Sequence, residues 1–196
     1  MRKQFLVGYC LFGVLLLWSL VSSNFEFVIY AAVTVFLLGL IHWSDKFFHF
    51  SDFALWGFDL WMILHILGGL FVVGDGVLYS FVLFPLVGEP YNILKYDQVV
   101  HAYCYFVVAL LMWSVVKKSA CCKASFATLA TITVLAATGV GGLNEIVEFL
   151  ATVFVEDVNV GGYENTAIDI VANLLGALCA VPLMRKIFLN NKEEIS

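Results

Sequence analysis

Apolar residues run through this chain in long blocks separated by short polar punctuation. There is no sustained two-residue alternation of the kind a half-buried strand would show. Blocks at 5–21, 25–41, 56–73, 97–116, 124–150 and 167–184 are each long enough, at about 1.5 Å per helical residue, to cross a hydrocarbon core of roughly 30 Å. Only Ser22, Ser23 and Asn24 separate the first two blocks, which predicts an antiparallel helical hairpin. Met1-Arg2-Lys3 before an apolar run has the outline of a signal peptide. The run is long for that role and a second follows at once, so the reading is a retained first span.

The mixture from His42 to Asp52, with His49 inside it, suits a membrane–water interface. Gly74-Asp75-Gly76 predicts a turn. The apolar stretch 78–87 is broken by Pro85 and followed by Gly88-Glu89-Pro90. It is too short to span and predicts an interfacial or re-entrant segment. Glu156, Asp157 and Glu164 predict a solvated loop, and Asn165 or Thr166 a cap for the last span. The expected fold is all-α and integral to the membrane. It is a six-transmembrane-helix bundle forming a single transmembrane domain over 1–196, with the interfacial or re-entrant segment between helices 3 and 4.

Composition agrees. Hydrophobic residues make up 62%, charged residues 13%, and the mean hydropathy is +0.96; a soluble domain carries about twice that charge. No basic patch with interleaved aromatics occurs, so nucleic acid is not an expected partner, and the lipid bilayer is. The cysteines, Cys10, Cys104, Cys121, Cys122 and Cys179, lack metal or disulfide spacing and suit packing. With six spans both termini share a side. Arg2, Lys3, Lys46, Lys117, Lys118, Lys123, Arg185, Lys186 and Lys192 fall there, and only Lys95 falls opposite. That bias predicts a multi-pass protein of the plasma or inner membrane with cytoplasmic N- and C-termini.

The polar residues inside the blocks are few and paired. Asp97 and His101 open the fourth span, Glu145 and Glu148 close the fifth, and Asp169 and Asn173 open the sixth. Spacings of three or four put each pair on one helix face. All three pairs then lie at the side opposite the termini, with Asp75 just beyond the third span and His65 two to three turns inside it. Ionisable groups at membrane depth cost roughly 2.5–3.5 kcal/mol each on insertion scales, so they normally have partners or a task. Glu145 and Glu148 also oppose the helix dipole at a C-terminal end. Asp97, His101, Glu145, Glu148 and Asp169 are therefore the candidate catalytic or metal-ligating residues. His65, Asp75, Asn144 and Asn173 are supporting ones. Clustered carboxylates serve as acid–base groups, or a divalent cation offsets their repulsion. The competing structural role is hydrogen-bond glue between helices, to which Asn173 is well suited, beside Ala172, Gly176 and Ala180.

Tyr96-Asp97-x-x-x-His101, then Asn144-Glu145-x-x-Glu148-Phe149, then Asp169-x-x-x-Asn173-x-x-Gly176-Ala177 resembles the pattern of VanZ-like membrane proteins. His65-x-x-Gly68-Gly69 and the Gly-Asp-Gly turn bring it closest to the YjdF-type inner-membrane proteins, over about residues 60–180. The chain departs from VanZ in having Glu148 where glutamine is usual. It departs from the YjdF-type pattern at Phe149 and over Gly161-Gly162-Tyr163-Glu164-Asn165. The resemblance implies a multi-pass inner-membrane protein, and VanZ's link to glycopeptide resistance does not transfer.

Three functions fit. The first is an extracytoplasmic acidic and histidine pocket binding or acting on a lipid or lipid-linked cell-envelope component, with a divalent cation as the candidate cofactor. The second is a small proton- or cation-coupled transporter, which needs polar groups at mid-membrane. The third is an accessory structural subunit whose cluster is packing glue. No nucleophile elbow, P-loop or HExxH motif selects a reaction.

Overall fold

The computed structural model describes residues 1–21, 25–120, 124–154 and 162–193. Cys121, Cys122, Lys123, Glu156, Asp157 and Gly161 lie outside them. Among the described residues, six helices are long and apolar enough to cross a membrane. In order they are α1 (Lys3–Val21), α2 (Phe25–Phe48), α3 (Asp52–Leu70), α4 (Tyr96–Ser119), α5 (Phe126–Phe154), and a last span built of α6 (Tyr163–Cys179) and α7 (Val181–Glu193).

Two sets of contacts fix which ends meet. At the face carrying the termini, the Arg2 guanidinium lies 2.7 Å from Asp45 Oδ1 and donates to the Phe50 carbonyl at 2.9 Å. Lys118 donates to the Phe47 carbonyl. Trp113 of α4, Phe126 of α5 and Phe188 of α7 meet edge-on or tilted at the same end. The far ends of α3, α4, α5 and α6 consequently gather at the opposite face.

α4 is the central helix, packed on α3, α5 and α6. Its Val107, Ala109, Leu110 and Trp113 are buried, as are Leu55, Phe58 and Met62 of α3 and Ala137 of α5. The tightest approach is between α4 and α6, where Gly176 lies directly on the Ala102 backbone. No side chain other than hydrogen fits there, which is how small residues let membrane helices close on one another.

Local chemistry sets the boundaries and corrects several sequence expectations. α2 runs on through the polar and aromatic stretch to Phe48. His42 stacks on Phe5 with ring centroids 4.2 Å apart and meets the Tyr9 hydroxyl at 3.0 Å, docking that end on α1. α3 starts at Asp52, where the Ser51 hydroxyl accepts from the Ala54 amide at 3.2 Å, and it ends at Leu70. The last span starts at Tyr163, with Gly162 in the capping position. Asn165 and Thr166 therefore do not cap it, and Glu164 sits in its first turn. Pro182, which has no N–H for the Leu178 carbonyl, divides this span, and at the break the Ala180 amide turns to Ala177 at 3.3 Å.

The segment between α3 and α4, residues 71–95, is built of short strands and a 3-10 turn. Strands β1 (Val72–Val73) and β2 (Gly76–Val77) pair antiparallel around the turn, with Gly74 at φ 62°. A 3-10 turn, Leu78–Ser80, leads to β3 (Val82–Val87), which pairs with β4 (Ile93–Lys95). Leu83, Phe84 and Leu86 of β3 are exposed, an apolar surface suited to the membrane interface. Gln98 closes the junction into α4, because its amide oxygen accepts from the Leu94 and Lys95 amides at 2.6 and 3.1 Å. That link fixes the first turns of α4, which carry Asp97 and His101.

Candidate functional site

Those first turns meet the end of α5 and the start of α6 around one imidazole. His101 Nε2 lies 3.6 Å from Asp97 Oδ1 and 3.9 Å from Glu148 Oε1, and its Nδ1 lies 3.6 Å from Glu145 Oε1. Nδ1 also lies 3.0 Å from Asn173 Oδ1 in a buried contact. The tautomer with its proton on Nδ1 donates to that amide oxygen and turns the Nε2 lone pair toward Asp97 and Glu148. Distances of 3.6 to 3.9 Å are too long for direct hydrogen bonds, so the carboxylates surround the ring without closing on it.

Among the described residues, two sets of three groups each place one ligand atom within 4.8 Å of the others: Asp97, His101 and Asp169, and His101, Glu145 and Glu148. Each set joins a cavity-lining carboxylate, Asp97 or Glu148, to a buried one, Asp169 or Glu145. The buried members are incompletely satisfied. Both Glu145 oxygens and Asp169 Oδ1 have no hydrogen-bond partner among the described residues. An anion in that condition is costly to bury, and a cation would offset the cost. The outer oxygens are held in place: Asn165 donates to Asp169 Oδ2 at 2.5 Å, and Asn144 to Glu148 Oε1 at 2.7 Å.

Next to the cluster sits an aromatic box around His65. Trp61 stacks on its ring at 5.2 Å and Tyr30 meets it edge-on at 5.6 Å. The Tyr79 hydroxyl contacts His65 Nδ1 and donates to the His65 carbonyl at 3.0 Å. Burial first, and then the charge of Asp97, hold that hydroxyl well above the ordinary tyrosine value, so Tyr79 remains a donor. Gly68 makes room for it, since a Cβ there would stand 2.5 Å from the Tyr79 ring. His65, Tyr79, Asp97, His101, Asn144 and Glu148 all face one cavity of ≈ 290 Å³.

The structure thus gathers Asp97, His101, Glu145, Glu148, Asp169, Asn144 and Asn173 into one site and sets His65 beside it. It leaves Asp75 exposed at its turn, outside the cluster. Tyr79 and Asn165 join the site from segments that the sequence marks only as an interfacial stretch and a helix cap. Asp59 of α3 is buried with Oδ2 unpartnered among the described residues, against Gly8, on the terminal half of the bundle. Its signal in the sequence is simply a carboxylate within an apolar span.

No curated protein and no solved structure gives a significant match to this chain. A family model described as a predicted membrane protein (DUF2238) matches residues 5–190, and the chain belongs to that family of membrane proteins.

Proposed function

We propose that the His101 cluster is a divalent-cation centre at the extracytoplasmic end of the bundle, binding the polar part of a lipid or lipid-linked envelope component and positioning it for chemistry. The observation that carries this reading is the pair of buried carboxylates, Glu145 with neither oxygen hydrogen-bonded and Asp169 with only Oδ2 hydrogen-bonded among the described residues, set around an imidazole that Asn173 orients. Carboxylate and imidazole ligands of this kind suit Mg²⁺, Mn²⁺ or Zn²⁺. The placement of nine of ten Lys and Arg residues on the terminal side supports cytoplasmic termini and an outward-facing site. The likeness to YjdF-type and VanZ-like sequences lies in these same residues.

The test is metal content by mass spectrometry of the detergent-purified protein beside Glu145→Gln and Glu148→Ala. Stoichiometric metal in the wild type, lost in folded variants, is the expected result. No metal in any of them after reconstitution with Mg²⁺, Mn²⁺ and Zn²⁺ would overturn it.

One observation favours a second reading, a proton- or cation-coupled carrier. Asp59 supplies a buried ionisable group away from the cluster, as a transport path requires. Cation flux in proteoliposomes that disappears in Asp59→Asn would favour it over the first.

A further inference from the structure

The cavity beside the cluster continues far beyond it. On α4 its lining runs from Asp97 to Val115, and on α2 from Tyr30 to Ser44, in helical steps of three and four. The α4 stretch corresponds to about 27 Å at the helical rise, nearly the hydrocarbon thickness of a bilayer. α2 packs mainly on α1 and stands off α4, so the cavity is the slot between α2 and α4, with α3 beneath. α5 borders it through Val140, Asn144 and Glu148. The end nearest the cluster is polar. Below Tyr105 the α4 lining is apolar, and the slot ends near Phe50, whose amide and carbonyl are held by Asp45 and Arg2. Leu40 both lines the slot and is 45% exposed, so the slot reaches the lipid-facing surface.

The shape decides the occupant. A cavity of ≈ 290 Å³ drawn out along α4 is far too narrow for a helix, whose diameter with side chains is about 10–12 Å. A file of water needs two to four polar partners per molecule. Along the shaft of α2 the hydroxyls are those of Thr34 and Ser44, and Ser44 already donates to the Leu40 carbonyl. A flexible hydrocarbon chain has the right width, length and polarity.

We propose that the α2–α4 slot takes one hydrocarbon chain of a membrane amphiphile, acyl or prenyl, and thereby delivers its polar head to the His101 cluster. This rests on the reading of the cluster as a head-group site and names the substrate class for it. A chain leaving the bilayer gains little by entering another apolar space, so affinity comes from the head, and the slot sets its depth and selects for chain length.

The full chain in nanodiscs, photolysed with trace diazirine-tailed phosphatidylethanolamine or diazirine-tailed polyprenyl phosphate, tests this. Peptide mapping separates slot-facing α2 and α4 residues from lipid-facing ones. The expected result is slot labelling by one of the two probes, which also identifies the chain type. Val108→Trp, which fills the shaft, should lower it at least about tenfold while metal content stays at the wild-type level. Leu135→Trp, on the exposed face of α5, should leave it unchanged. Labelling spread evenly over lipid-facing positions, or unaltered in folded Val108→Trp, overturns the proposal. If Val108→Trp does not fold, Cys104 answers in the wild type: the lipid whose probe labels the slot should protect this slot-lining thiol from a membrane-permeant maleimide without protecting exposed Cys10. Equal rates with and without lipid would overturn the proposal. Metal content on the same samples separates the two readings: an unlabelled slot with metal retained sinks the chain, and a labelled slot without metal sinks the cation centre.

Discussion

His101 Nδ1 and Asn173 Oδ1 lie 3.0 Å apart across 72 residues of sequence, in a buried contact that ties the start of α4 to the start of α6. The bond does more than join helices. It selects the tautomer that presents Nε2 to Asp97 and Glu148.

Asn173→Ala removes the orientation and leaves all five candidate ligands in place. Divalent-cation affinity should fall about 10–100-fold, the usual effect of losing a group that orients a ligating histidine. Titration of the stripped protein with Mn²⁺ or Zn²⁺ measures it. Unchanged affinity in the folded variant would reduce Asn173 to packing.

Gly176→Ala should be the more damaging of two glycine substitutions. A Cβ at Gly176 runs into the Ala102 carbonyl, which is backbone and cannot move aside. At Gly141 it would stand 2.6 Å from Asn173 Nδ2, a side-chain group. Gly176→Ala should cost about 1–3 kcal/mol or more as overpacking, read as a lower Tm in detergent. Gly141→Ala should lose less stability but weaken cation binding through Asn173. The reverse order would show that α4 and α6 are not held by this contact.

The cluster was legible because its members come in pairs at helical spacing: Asp97 with His101, Glu145 with Glu148, Asp169 with Asn173. Such pairs stand out against an apolar background. Asn173 reads better as glue, because only the fold shows which ring it meets. Asp59 went unread for the opposite reason. It has no polar companion three or four residues away, and its isolation shows only when α1 and α2 close over it. The strands between α3 and α4 were hidden by their shortness and by an apolar content that a re-entrant segment would share. The second span reads as ending at Ile41 because the docking of the His42–Phe48 turns on Phe5 and Tyr9 lies outside local pattern.

Arg2 offers a comparison within one network. Its partners differ in exposure: the Asp45 side chain is 12% exposed and Asp52 74%. Asp45 also accepts the Phe50 amide at 2.9 Å. Asp45→Asn should therefore cost about 1–3 kcal/mol, since it disturbs partly buried donors. Asp52→Asn, screened by solvent, should leave the thermal midpoint unchanged. Equal losses would mean that the exposed pair orders the N-terminus as strongly as the buried one.

Asp59 separates stability from function most directly. Its Oδ2 has no partner among the described residues, and a Cβ at Gly8 would stand 3.0 Å from its Oδ1. A carboxylate so placed adds nothing to packing that an amide of the same size would not. Asp59→Asn should leave the Tm unchanged or raise it. A loss above about 2 kcal/mol would reveal a partner held by the carboxylate. Proteoliposome flux on the same variant then weighs the carrier reading. A wild-type cation flux that Asp59→Asn abolishes, at undiminished stability, would show that this buried acid is retained for transport. Equal flux in both would leave it without a role in permeation and return attention to the cluster at the far face.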